Sequence, residues 1–220
     1  MAKMTVRQCM DFALQLLNQY SIAGTVVPLS YNDQSDTESR MINLINDAQM
    51  QIATTVRPIS EYETVVVPKI PPTEPLRDIT VTLPENLYMI KKVFFTPEFG
   101  RNRRTLDASY YKIQEERDIL LPNRPAGTYT IEYDVYPVRL DPYMRGPELD
   151  TTYLDNTPDT HEIIPYYVAA VIAIDENPKT YYALYNIWET RLSRLGYKPP
   201  HAENTGVQDA YGFDYFRGIW

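Results

Sequence analysis

Cysteine is almost missing from this chain: Cys9 is the single one in 220 residues. That excludes an internal disulfide and any zinc site assembled from several thiolates. Histidine is nearly as scarce, with only His161 and His201, so a histidine-based metal centre has too few ligands. Glycine occurs eight times, and neither GxGxxG nor GxxxxGK[ST] is present, which removes the usual phosphate-cradling loops. GxSxG, HExxH, CxxC and EF-hand spacings are absent as well. No apolar run approaches the roughly 18 residues that a membrane span needs, so no membrane partner is expected. The opening residues MAKMTVRQCMDF lack an apolar secretory core, and no signal peptide is expected.

Other residues are abundant. Asp and Glu number 29 against 21 Lys and Arg, for a net charge of −8. Such a surface repels nucleic-acid phosphates and argues against a dedicated DNA or RNA binder, though not against a protein that DNA passes by. Eighteen prolines imply many fixed turns and strand ends. Nineteen tyrosines suit contact surfaces, because the ring buries area while the hydroxyl stays wet. They equally suit half-buried positions within a fold.

Two amphipathic helices are expected first. Val6, Met10, Ala13 and Leu17 form one stripe at helical spacing, with Cys9 on its edge as a small hydrophobe. Residues 21–34 read as a loop. Ser35-Asp36-Thr37-Glu38 is a capping box, followed by Met41, Leu44, Ile45, Ala48, Ile52 and Val56. This second helix spans about 20 residues, or about 30 Å, and stops at Arg57-Pro58. Its other face, with Arg40, Asn43, Asn46, Asp47, Gln49 and Gln51, is polar.

Beyond Pro58 the period changes to two. Tyr62–Val67, Ile79–Leu83, Leu87–Phe95, Ile119–Leu121 and Thr128–Tyr136 read as short strands. In the last, Tyr129, Ile131, Tyr133 and Val135 share one face, and Thr128, Thr130, Glu132 and Asp134 the other. Arg101, Arg103 and Arg104 form an exposed hairpin tip that either contacts a partner or is simply solvated.

Residues 141–156 are a proline- and aspartate-rich connector. Thr157-Pro158 and Asn177-Pro178 repeat a cap-plus-proline device that starts two further helices. Ile163, Ile164, Tyr167, Val168, Val171 and Ile172 make the third helix apolar. Leu184, Tyr185, Trp188, Leu192 and Leu195 stripe the fourth, and Gly196 and Pro199-Pro200 end it. Residues 197–220 have no period but carry Tyr197, Tyr211, Phe213, Tyr215, Phe216 and Trp220. A solvated tail is normally poor in aromatics, so these residues read as an arm gripping another surface. An arm folded back on its own domain is the alternative.

The expected fold is α+β: an antiparallel bundle of about four helices (1–60 and 157–196) with an inserted antiparallel β-sheet subdomain (61–140) and an extended C-terminal arm. No catalytic, cofactor or metal residues are expected. Cys9 lies on an apolar stripe, and His161 falls in a first helical turn, where a cap contact or exposure is the ordinary role. Adjacent carboxylates such as Glu115-Glu116 and Asp175-Glu176 point apart and do not make an acid–base pair.

Three segments carry a family resemblance. They are the long helix running into a proline, MINLINDAQMQIATTVRPIS; the strand–turn–strand ITVTLPENLYMIKKVFF with the later TYTIEYDVYPVRL; and the aromatic helical hairpin HEIIPYYVAAVIAIDENPKTYYALYNIWETRLSRL. In this order and spacing they resemble the head-to-tail connector (adaptor, or neck) proteins of tailed bacteriophages. The resemblance covers residues 5–195 loosely; the connector at 137–158 and the aromatic arm depart from it. It implies a non-enzymatic virion structural protein of the neck, assembled in the host cytoplasm, with no cofactor. It implies a ring of about twelve subunits docked on the portal protein through the C-terminal arm, with the sheet and the Arg101–Arg104 tip towards a tail or nozzle protein. Genome DNA would pass through the channel without sequence-specific binding, and a net negative wall would keep it mobile. Another neck or tail-completion protein is the alternative, and a small enzyme or ligand-binding domain a more distant one.

Overall fold

Pro58 and Leu140 bracket a change in the architecture. The computed structural model describes residues 3–20, 34–69, 78–98, 103–115, 117–121, 126–174 and 177–196. These residues form an α+β structure of five α-helices and two antiparallel sheets. They fall into two units, one drawn from residues 1–57 and 140–220, the other from 58–139.

The helical unit contains α1 (Val6–Tyr20), α2 (Gln34–Thr55), α3 (Pro147–Thr151), α4 (Ile164–Ala173) and α5 (Pro178–Gly196). Val6, Cys9, Met10, Ala13 and Leu17 of α1 are all buried, as their spacing predicts. They join Met41, Ile42, Ile45, Ala48 and Ile52 of α2 and Leu184 and Trp188 of α5 in one apolar cluster. At the centre lies α4, which packs against α1, α2 and α5. It is apolar around its whole circumference, the pattern of a helix enclosed by others. Its Ala169, Ala170 and Ala173 are buried and let the neighbours approach closely.

Several local expectations shift. The helix α2 already begins at Gln34, ahead of Ser35. The carboxylate of Glu38 is held by Arg7 at 3.2 Å and Arg145 at 3.7 Å. Thr157-Pro158 opens only a 3-10 turn, Pro158–Thr160, and α4 starts later, at Ile164. Pro165 supplies the reason: it has no N–H to extend a helix from upstream, but fits a first turn. Asn177-Pro178 does start a helix, and Asn177 Oδ1 accepts the Thr180 N–H at 3.3 Å. The stretch 141–156 is more than a spacer. It contains α3, buries Leu149 and Leu154, and forms a β-bridge between Tyr153 and Thr5. Flanking that bridge, Val6 N–H donates to Thr152 O and Leu154 N–H to Met4 O, both at 3.0 Å.

The sheet unit contains β1 (Ile59–Val67), β2 (Ile79–Thr82), β3 (Leu87–Pro97), β4 (Arg104–Leu106), β5 (Lys112–Gln114), β6 (Asp118–Leu121) and β7 (Gly127–Val135). The larger sheet has the order β1-β7-β3-β4 and the smaller β2-β6-β5. Both feed one core, in which Tyr129, Ile131, Tyr133 and Val135 of β7 meet Val81, Leu83, Ile119 and Leu121. Gly127 opens β7 at φ +151°, where a Cβ would sit 2.5 Å from Thr96 O. Only glycine tolerates that approach.

Candidate functional site

The chemistry-bearing groups of the helical unit are committed to holding distant segments together. Asn46 of α2 donates from Nδ2 to Leu140 O and accepts the Leu140 N–H at Oδ1, both at 2.9 Å. Nearly one helical turn further on, Gln49 Oε1 accepts the Asp155 N–H at 2.8 Å, and the Gln49 backbone carbonyl accepts Asn156 Nδ2 at 3.1 Å. Asn46 and Gln49 are therefore buried, not part of the exposed polar face of α2. A buried amide needs fixed partners, and these lie about a hundred residues away in sequence.

His161 is buried too, not exposed; it follows the 3-10 turn Pro158–Thr160 as its C-cap and lies ahead of α4 rather than in its first turn. Its Nδ1 accepts the Met4 N–H at 3.0 Å, and Nε2 lies 2.8 Å from Asn156 O. Because a backbone N–H can only donate, Nδ1 is the bare nitrogen and Nε2–H donates to the carbonyl. Burial lowers the imidazole pKa below 6.5. Cys9 is fully buried, and burial pushes its thiol far up, out of reach of nucleophilic use. Among the described residues, no group of three or more His, Cys, Asp or Glu is placed to hold a metal ion. His201 lies outside the described residues.

A groove of about 270 Å³ in the sheet unit is lined by Pro84, Glu85, Leu87, Glu115 and Arg117. Its polar groups face one another, with Arg117 and Glu85 at 3.5 Å. Its described lining holds two carboxylates and a guanidinium, with no Ser, Thr, Cys or His beside them.

Among the described residues, charged and aromatic side chains stand exposed on both units. In the sheet unit, β3 and β4 pair antiparallel with Phe95 opposite Arg104, Phe94 opposite Thr105 and Val93 opposite Leu106. Arg104 is exposed, and Arg103 lays its guanidinium over the Phe94 ring, 3.6 Å from the centroid. That stacking holds the cation out from the sheet with little freedom. Arg101 lies outside the described residues, as do Tyr197, Tyr211, Phe213, Tyr215, Phe216 and Trp220 of the arm.

On the opposite margin of that sheet, β1 carries Glu61 and Glu63, both exposed. Tyr133 O–H donates to Glu61 Oε2 at 3.4 Å. Burial first, then the charges of Glu61 and Glu63, raise the Tyr133 pKa above 10. Sequence reasoning passed over both glutamates. Their signal was the repeat of acid at positions i and i+2 of a strand, which puts like charges on one face.

The helical unit displays an aromatic ladder along α5. Tyr181 stacks on Tyr185 at 5.4 Å and meets Tyr182 edge-on at 5.1 Å. Tyr182 is exposed. Tyr167 packs on Trp188 at 5.2 Å and accepts a hydrogen bond from Gln51 Nε2 at 3.2 Å. Burial raises the pKa values of Tyr167 and Tyr185.

No protein-family model matches this chain, and no curated protein matches it. No helix among the described residues is long and apolar enough to cross a membrane.

Proposed function

We propose that this chain is a virion structural protein of the phage neck: a head-to-tail connector that assembles into a ring, docks on the portal and surrounds the DNA channel. The observation that carries the reading is the chain order. A helical unit built from both flanks, with a sheet unit leaving at Pro58 and returning by Leu140, is the organisation the resemblance implies. In this reading α1, α2, α4 and α5 form the antiparallel bundle that packs side by side with its neighbours. Residues 197–220 are the arm that grips the portal, with aromatic side chains as anchors. The sheet unit faces a tail or nozzle protein, and the Arg101–Arg104 tip is a contact point. The ring has about twelve copies and closes through a head-to-tail interface. Polar groups such as Asn46, Gln49 and His161 serve the fold, which suits a structural part without a reaction. With a net charge of −8, the channel wall repels the duplex and lets it slide.

Native mass measurement and electron microscopy of the full chain, alone and mixed with portal protein, test this. A closed ring on the portal is the expected result. A chain ending at residue 196 should bind the portal at least about tenfold more weakly with its unfolding temperature unchanged. A monomer that binds no portal overturns the reading.

A further inference from the structure

The larger sheet has two unpaired margins of opposite charge. Its order is β1-β7-β3-β4, so among the described residues β1 pairs only with β7 and β4 only with β3. The margin strand β1 spans nine residues, and its charged side chains are Glu61 and Glu63. The β4 margin carries Arg103 and Arg104, with Asp107 just beyond them. None of these four residues has an intrachain ion pair among the described residues. An open strand edge is a template for another chain, and acid on one edge with base on the other selects which chain.

We infer that a second copy of this chain occupies the β1 edge through its own β4 edge, so that Glu61 and Glu63 of one copy meet Arg104 of the next, while Arg103 adds positive charge on the other side of the same edge. This rests on the ring reading above and assigns it an interface.

Two further features favour that occupant. The first is direction. Each of the three pairings in the sheet is antiparallel, so β1 and β3 run one way, β7 and β4 the other. With an even number of strands, a copy placed beside the first in the same orientation brings its β4 antiparallel to β1. The alternation continues without a break across the junction. The second is the face. Val93 and Phe95, opposite Leu106 and Arg104, share the core side with Ile131 and Tyr129. Glu61 and Glu63 pair with Tyr133 and Ile131 on that same side. Repetition therefore puts Arg104 on the same side of the joined sheet as the two carboxylates.

The charges also work against the wrong contacts. Two β1 edges would oppose glutamate to glutamate, and two β4 edges arginine to arginine. Like charges directly opposite are destabilising, so two-fold dimers through either edge are disfavoured. The attractive arrangement is heterologous, and it closes into a ring when the rotation allows. Since β4 has only three residues, the ladder is short. Its charges set the register and speed of association more than the total affinity.

Charge reversal of the full chain tests this. E61K/E63K makes both edges basic, and R103E/R104E makes both acidic. Each variant alone should assemble at least about tenfold more weakly than the wild type in 50 mM salt, by analytical ultracentrifugation. An equimolar mixture of the two should recover assembly, because every acidic edge then finds a basic one. Unchanged far-ultraviolet circular dichroism checks that each variant folds, and the mixture reports on the interface even where one variant is less stable. If wild-type rings form and neither variant alters them, the edge assignment falls and the ring reading stands. Recovery in the mixture, with the wild type forming open filaments, keeps the edge assignment and overturns the ring. A wild type that stays monomeric at all concentrations overturns both.

Discussion

The two units, one drawn from both flanks of the chain and the other from its middle, solve the same problem by different means. In the sheet unit the core is made by neighbours: β7 lies between β1 and β3, and its inward residues are Tyr129, Ile131, Tyr133 and Val135. Among the described residues its deeply buried charge is Asp134, met by Ser60 at 2.7 Å and Lys91 at 2.8 Å. In the helical unit the buried polar groups tie together segments about 90 to 160 residues apart, through Asn46, Gln49 and His161. Apolar burial is non-directional and can hold helices together without fixing their alignment. Paired amides and an imidazole with one correct tautomer do fix it, because a shifted partner leaves a buried group unsatisfied. The sheet unit gets the same service from its ladder of backbone hydrogen bonds, so it needs fewer such devices.

The contrast can be broken by substitutions whose effects are read separately in each unit by hydrogen exchange. The largest effect belongs to Trp188→Ala, which empties the fully buried ring that packs on Tyr167. It should cost about 3–5 kcal/mol, seen as lost protection in α1, α4 and α5. Equal loss in β7 would show that the units do not open independently.

Next comes Asn46→Ala. It strands the N–H and C=O of Leu140 in a buried site and should cost about 2–4 kcal/mol. Ser60→Ala, which removes one of two donors to Asp134, should cost about 1 kcal/mol and act on the sheet unit. If Asn46→Ala costs no more than Ser60→Ala, the polar ties are not what aligns the helices.

The smallest effect is on pH dependence. Folding lowers the His161 pKa, so the folded state resists a proton that the unfolded chain accepts. The stabilisation is complete above pH 6.5, falls as pH drops through that value towards the folded pKa, and levels off below it. The slope is at most about 1.4 kcal/mol per pH unit. Residues 58–139 contain no histidine, so over this range protection in the helical unit should decline more than in the sheet unit. His161→Gln should flatten the difference.

Much of this was visible in the residues alone. The α1 stripe, the alternation of β7 and the change of period at Pro58 each depend on spacing, which maps directly onto a face. Asn46 and Gln49 could be read only as part of a polar face, because a buried amide is recognisable only once its partner is known. The start of α4 was put too early because Thr157-Pro158 resembles a cap, while Pro165 inside the segment settles where the helix can begin. Edge position was not legible at all: nothing local to Ile59–Val67 says that one side of the strand is left open, since strand order follows from long-range pairing. Residues 197–220 lie outside the described residues, and their aromatic composition does not say what they touch.

The clasp between Met4 and His161 also constrains how the chain is made. Their hydrogen bond joins residues 157 positions apart. At cellular synthesis rates, roughly 8–30 s pass between their appearance at the ribosome. Through that interval α1 has its oily stripe ready and no α4 to cover it, while the intervening sheet unit can already complete its local pairings. Newborn chains are therefore open to capture by chaperones, and to entanglement with one another, until the closing hairpin emerges.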